Sequence, residues 1–359
     1  MDITYFMGAN TQEGFVSLFD TLYADEGERF VYILKGGPGT GKSSLMKKIA
    51  ENLKLRGVGV ERIVCTADPS SLDAVIFPEL HACVVDGTAP HIMEPRLPGL
   101  DEEIINLGDF RNPDIISPDA VQIRMLCREN SAMHKRAARF ISAAAGIEQD
   151  SRRIASFCAD ESKILNFAVR TAGREFRAAC KKKGVLSERF LSGITPDGLI
   201  IHYDTIALQC RRIISIEDEY SVCAGLIIRK LAESALDAGY DCTVCRCPLH
   251  PYDGDEHLII PELSLAFTTS NSFHTLPYEP ERRIHASRFI NTSDLREYRH
   301  RLAFNQKAQK DLLGEAVNIL SAAKAVHDMA EEYYKSAMDF DSVSLKCDEL
   351  TGALLRRMS

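Results

Sequence analysis

Eight consecutive residues, Gly36-Gly37-Pro38-Gly39-Thr40-Gly41-Lys42-Ser43, fill the phosphate-binding pattern G-x-x-x-x-G-K-[ST] at every position. The glycines let backbone N–H groups turn inward around phosphate oxygens, and the N-terminus of a following helix adds a positive dipole end. Lys42 is then expected to reach the β- and γ-phosphates, the Ser43 hydroxyl to hold Mg²⁺, and Ser44 to complete the loop's contacts. A second acidic contact is needed at the end of a buried strand. The apolar run Ala82-Cys83-Val84-Val85 ends in Asp86, the candidate Mg²⁺ carboxylate, although Asp86-Gly87 also reads as a turn start. His91, five residues on, is a candidate proton carrier.

The elements that must position these groups are legible nearby. Phe30-Val31-Tyr32-Ile33-Leu34 predicts a buried parallel strand leading into the loop. Leu45, Met46, Ile49, Ala50 and Leu53 recur at helical spacing, and Gly57 marks a stop. Arg62-Ile63-Val64-Cys65 predicts another core strand. Thr66, Asp68 and Ser70 at its exit are expected either to touch ligand or to cap a helix beginning near Leu72, the second being favoured.

The chain repeats itself. Phe6, Thr11, Gly14 and Asp20-Thr21 return 184 positions later as Phe190, Thr195, Gly198 and Asp204-Thr205. Lys48-Ile49-Ala50-Glu51 returns as Lys230-Leu231-Ala232-Glu233, Pro78-Glu79-Leu80 as Pro261-Glu262-Leu263, and His91 as His274. A collinear series of this kind implies two domain-sized halves. Each half passes into a helical stretch, and Ser142-Ala143-Ala144 is echoed by Ser321-Ala322-Ala323. These helices are expected to form hairpins packing on their own half or on each other through alanine-rich faces.

The second half does not keep the chemistry. Gly36 and Gly37 become Asp218 and Glu219, Lys42 becomes Ala224, Ser43 becomes Gly225 and Asp86 becomes Thr269. Two carboxylates where phosphates would lie should repel them. The persistence of His274 in this half favours a structural role for His91 over a general base, and Glu262 says the same of Glu79. Cys242, Cys245 and Cys247 include a C-x-x-C spacing with His250, His257 and His274 near. On a strand, however, residues three apart face opposite sides, so core thiols are favoured over zinc.

A net charge of −8 over 359 residues argues against broad nucleic-acid or anionic-membrane binding. The run Lys181-Lys182-Lys183 reads as a helix C-terminus. Eleven cysteines, no apolar run near membrane-spanning length and no secretory layout at Met1-Asp2-Ile3-Thr4-Tyr5 predict a cytoplasmic protein with reduced thiols.

The loop and Asp86-Gly87-Thr88-Ala89-Pro90-His91, in a tandem layout, resemble a bacterial family of two-repeat P-loop ATPases across nearly the whole chain. The resemblance implies ATP and Mg²⁺ as ligands, hydrolysis of the ATP, and an α/β fold with a three-layer α/β/α P-loop NTPase-like core in each half. The expected division is 1–116 for the intact half, 117–186 for its helical segment, 187–295 for the degenerate half and 296–359 for the C-terminal helices. Gly87 stands where many ATPases carry a catalytic glutamate, and no guanine-reading N-K-x-D run occurs, which favours ATP over GTP. A transition-state arginine is open among Arg62, Arg96, Arg152, Arg153 and a partner chain. The leading expectation is a slow, conformationally coupled ATPase. A small-molecule or nucleotide kinase and a non-hydrolysing ATP-dependent switch are the alternatives. A protein partner or homo-oligomer through the helical segments is also open.

Overall fold

The computed structural model describes residues 2–23, 29–177 and 182–358. The first part of the chain forms β1 (Asp2–Tyr5), the hairpin β2 (Gly8–Thr11) and β3 (Gly14–Ser17), β4 (Phe30–Lys35), α1 (Lys42–Lys54), β5 (Val60–Val64), β6 (Leu72–Phe77), β7 (Ala82–Asp86) and β8 (Glu102–Asn106). A short turn of helix, α2 (Pro113–Ile116), leads to the long α3 (Ala120–Phe157) and to α4 (Glu161–Glu175). The chain then makes β9 (Leu186–Arg189), the hairpin β10 (Ser192–Thr195) and β11 (Gly198–Ile201), α5 (Tyr203–Gln209), β12 (Arg212–Glu217) and α6 (Val222–Asp237). It continues through β13 (Cys242–Cys247), β14 (His250–Ile260), β15 (Leu265–Ser270) and β16 (Arg282–His285) to α7 (Thr292–Glu297), the long α8 (Arg299–Lys335) and α9 (Phe340–Leu355).

Two six-stranded mixed sheets result, ordered β1-β5-β6-β7-β4-β8 and β9-β13-β14-β15-β12-β16. In the first, β4 lies between β7 and β8 and runs parallel to both, whereas β6 is antiparallel to β5 and β7. The second sheet alternates the same way around β12 and β14.

Among the described residues, only one long helix per sheet, α1 or α6, connects strands of that sheet. The antiparallel β5-β6-β7 and β13-β14-β15 runs need no crossover helix, and parallel strands alone require one. The expected helical layer on both faces of each sheet is therefore not what forms. The outer face of the first sheet packs on α1 and α9, and that of the second on α6 and α4. The inner faces share one core. Ile33, Ile63, Ile76 and Val85 from the first sheet meet Ile213, Cys245, Ile259 and Ala266 from the second, with Phe19, Leu22, Tyr203 and Ile206 filling between.

The expectation that helices pack on their own half also needs correcting. α3 and α8 do pack on each other through Ala137, Ile141, Ala145, Ala316 and Leu320. But α4, which follows the first sheet, covers the second, and the C-terminal α9 covers the first. The lysine run does not end a helix in its described part. α4 stops at Glu175, Lys183 pairs with Asp237 at 3.5 Å outside any helix, and Lys181 lies outside the described residues. The ten described cysteines are all free, and no described helix is long and apolar enough to cross a membrane.

Candidate functional site

β4 delivers the chain into the glycine-rich loop, and α1 begins at Lys42 with Gly41 before it in the left-handed region. Because β7 pairs in parallel with β4, Asp86 sits opposite Leu34, at the same sheet end as the loop. Lys42 Nζ donates to the carbonyls of Gly36 and Gly37, each at 2.9 Å, and stands 3.5 Å from Asp86 Oδ2. The other Asp86 oxygen, Oδ1, accepts from Thr88 N at 2.9 Å and Thr88 Oγ1 at 2.6 Å. Asp86 thus starts a turn with one oxygen and faces the lysine with the other. Ser43 Oγ accepts from Leu72 N at 3.0 Å, and Thr40 Oγ1 donates to Gly37 O at 2.9 Å. Ser44 is exposed on α1.

Gly87 explains the missing glutamate. A Cβ there would lie 2.3 Å from Ile33 Cγ2, so no acidic side chain fits after Asp86. A further acid, Asp73, lies close enough to feel the Asp86 and Lys42 charges, and sequence reasoning passed over it. β5 pairs Ile63 with Ala74 and Val64 with Leu72, leaving Asp73 on a bulge of an otherwise apolar, fully buried strand. Burial, reinforced by the Asp86 charge and opposed by His91, pushes its carboxyl up to about 6. His91 is buried and stacks on Phe19 at 4.6 Å. Its Nε2 lies 3.9 Å from Asp73 Oδ1, and neither ring nitrogen has a hydrogen-bond partner. An acid inside Leu72-Asp73-Ala74-Val75-Ile76-Phe77 was the available signal.

Residues 66–71 form the turn between β5 and β6, so Leu72 opens a strand rather than the expected helix. Asp68 accepts from Ser70 N, Ser70 Oγ and Ser71 Oγ within that turn and lies 3.6 Å from Lys324 of α8. The antiparallel return to β7 leaves no room for a helix.

The last turn of α8 closes over the loop. Gly39 N donates to Glu331 Oε1 at 3.2 Å, and Tyr334 lies against Gly37. At Gly39 φ is 71°, and a Cβ would meet the Glu331 carbonyl oxygen at 2.8 Å, so this approach needs glycine. His327 and then Lys335 hold the Glu331 carboxyl down to about 2, so a full negative charge faces the loop's N–H. Phe340 and Val343 of α9 flank Gly41.

The corresponding loop in the second sheet carries its own anion. Asp218 Oδ2 accepts from Cys223 N at 2.6 Å and Ala224 N at 2.9 Å, at the start of α6, while Oδ1 accepts from Tyr220 N at 3.2 Å. Glu219 accepts from Ser272 N and from Gln306 of α8. Cys242 and Cys245 face opposite sides of β13, one in the outer core and one in the inner.

The four candidate arginines have other contacts. Arg62 pairs with Glu51, Arg96 lies 4.2 Å over the Tyr23 ring, Arg153 lies over Phe157, and Arg152 lines a cavity of about 440 Å³ beside Glu219 and Tyr220. Five other arginines cluster away from the loop. Arg170, Arg174, Arg282, Arg283 and Arg288 line a cavity of about 470 Å³ between α4 and the edge strand β16. Arg170 and Arg174 share a helix face, a spacing the sequence displays.

No protein-family model, curated protein or solved structure matches the chain.

Proposed function

We propose that the chain binds ATP with Mg²⁺ at residues 36–44 and hydrolyses it, and that its two α/β halves are a tandem P-loop pair of which only the first keeps this chemistry. One observation carries the reading. The loop already receives a carboxylate, Glu331, on the Gly39 N–H, with Lys42 and Asp86 beside it. That is the arrangement an anion-binding loop makes with whatever anion is at hand.

The donor set suits a magnesium triphosphate. Backbone N–H groups and Lys42 match phosphate oxygens, and the Ser43 hydroxyl and Asp86 Oδ2 are hard oxygen ligands. Bound Mg²⁺ would neutralise charge on the β- and γ-phosphates. The water oxygen bonds to the γ-phosphorus, the bond to the bridging oxygen breaks, and ADP and phosphate leave. Asp73, a buried carboxylate beside His91 that feels the Asp86 and Lys42 charges, is the group this reading assigns to take the water's proton, in place of the glutamate that Gly87 precludes. In the second half Asp218 fills the N–H groups and Ala224 replaces the lysine, so no phosphate site remains.

The test is Mg²⁺-dependent phosphate release from ATP by the full chain beside Lys42→Ala and Asp86→Asn. Release abolished by both changes supports hydrolysis at this loop. ATP binding that needs Lys42 but yields no release would favour the second reading, an ATP-dependent switch. The closure of the loop by α8 is what recommends that alternative. No ATP binding would overturn both.

A further inference from the structure

We propose that the second half binds a divalent transition-metal ion, zinc by the character of its donors, between Glu256, His257 and His274. One donor atom from each residue lies within 4.8 Å of the others, and all three residues are buried. This site does not depend on the nucleotide reading.

Both histidines converge on one carboxylate oxygen. His274 Nε2 is 3.4 Å and His257 Nε2 is 3.9 Å from the same oxygen, Glu256 Oε2. A histidine–carboxylate hydrogen bond would close to about 2.7–3.0 Å. Two ligands of one tetrahedral zinc, each bonded at about 2.0–2.2 Å, stand about 3.3–3.6 Å apart; the His274–Glu256 separation of 3.4 Å falls in that range, and the His257 ring must close from 3.9 Å to reach it. Neither Nε2 makes a hydrogen bond of good geometry, so two buried ring nitrogens converge on one carboxylate at ion-pair distance.

The surroundings hold the donors in place. His257 Nδ1 bonds Thr268 Oγ1 at 2.7 Å on the neighbouring strand. An Nδ1–H donated to that hydroxyl leaves the Nε2 lone pair directed at the site, as outer-shell partners of metal-bound histidines do. Ser192 Oγ donates to Glu256 Oε2 at 3.1 Å, fixing the carboxylate.

The same backbone feature exists in the first half without the full donor set. Pairing Cys245 with His257 and Arg246 with Asp255 leaves Glu256 on a bulge, as Asp73 is on β6. There Asp73 and His91 correspond to Glu256 and His274, but Ala74 stands where His257 does. The third ligand belongs to the second half alone. Cys247 lies against Glu256 but is not one of the three converging donors. Three protein ligands leave a fourth position open.

The full chain, purified without affinity metals, is titrated with Zn²⁺ against a chromophoric chelator and, separately, with Co²⁺ while visible absorption is followed. One equivalent bound with intense four-coordinate cobalt bands is expected. His257→Gln and His274→Gln should each weaken zinc at least 100-fold, and Thr268→Val about 10–100-fold through loss of the Nδ1 partner. Circular dichroism establishes folding of each variant. Unaltered wild-type protein that binds neither ion stoichiometrically overturns the proposal, as does zinc affinity unchanged in folded His257→Gln and His274→Gln.

Discussion

Phe6 and Phe190 exchange both of their backbone hydrogen bonds, each N–H donating to the other's carbonyl at 2.9 Å, across 184 residues of chain. A reciprocal pair between positions related by the sequence repeat marks a local two-fold relation at the junction of the two sheets. The same reciprocity recurs with the helices. Arg111 bridges to Met338 and Ile290 to Ala159, so the turn after α8 is clamped to the exit of the first sheet and the turn after α3 to the exit of the second. The helical segments are thereby exchanged between the sheets, which is why α9 flanks the glycine-rich loop.

The junction also holds a buried ion pair, Arg189 Nε to Glu61 Oε1 at 2.6 Å, with side chains 8% and 11% exposed. Removing one partner strands a charge in the interior, so Arg189→Met should cost about 3–5 kcal/mol of unfolding free energy. Arg189→Met with Glu61→Leu should recover most of it. Urea unfolding of the two variants measures both. A single change costing less than about 1 kcal/mol would show that the pair does not hold the junction.

His202 gives the junction a pH dependence. Its ring packs 4.7 Å from that of Phe6, its Nε2 is buried without a partner, and burial pushes the imidazole down to about 4. The folded state therefore holds it neutral where the unfolded chain would protonate it. Its contribution is intact above about pH 6.5 and is lost as pH falls toward 4, by up to about 3 kcal/mol. His202→Phe should remove that part of the acid sensitivity. The difference in unfolding free energy between wild type and variant, compared at neutral and mildly acidic pH, is the measurement. A difference that does not change with pH sinks the assignment.

How much of this was legible follows from how local each signal is. The loop at 36–43 is contiguous and every position is specified, and the apolar run ending in Asp86 names its strand, so the sequence alone singles out Lys42 and Asp86, which stand 3.5 Å apart. The α/β class holds as well. Asp73 was hidden because it owes its place to a bulge, which depends on pairing between two strands and not on either alone. The helix expected at Leu72 failed for a related reason: Asp68 and Ser70 satisfy a tight turn as readily as a cap. The amphipathic patterns of α4 and α9 specify an apolar face but not which sheet receives it, so the exchange and the arrival of Glu331 at Gly39 could not be read ahead.

Asp218 is to the second loop what a bound anion would be to the first. Its carboxylate satisfies the N–H groups of Cys223 and Ala224 at the start of α6. Asp218→Ala should unpair both and cost about 1–2 kcal/mol, while Asp218→Asn, which keeps an acceptor oxygen, should cost less. Neither change should create nucleotide binding, since Ala224 cannot replace the lysine. Chemical denaturation together with a fluorescent ATP-analogue titration in a Lys42→Ala background checks both statements. Nucleotide binding gained by Asp218→Ala there would mean that the second loop is masked rather than degenerate.

Glu331 makes the corresponding contact in the first half, but from another element, and this makes it displaceable. On the proposed function, a nucleotide phosphate would compete with its carboxylate for the Gly39 N–H, against a contact 3.2 Å long on a side chain 26% exposed. Glu331→Gln keeps the shape and removes the charge. If the contact opposes binding by about 1 kcal/mol, ATP affinity should rise about fivefold, and the gain should vanish when Lys42→Ala is added. Titration with a fluorescent ATP analogue reads the change directly. The consequence extends along α8, which runs about 37 Å from Gln306, bonded to Glu219 at 2.9 Å beside the second loop, to Glu331 at the first. Release of one end of a rigid helix alters the other, so hydrogen exchange at residues 218–221 should increase when nucleotide binds the first loop. Weaker ATP binding by Glu331→Gln would place the carboxylate among the groups that hold nucleotide and end the competition argument. Unchanged exchange at residues 218–221 would leave α8 a structural strut, with no signal passing between the loops.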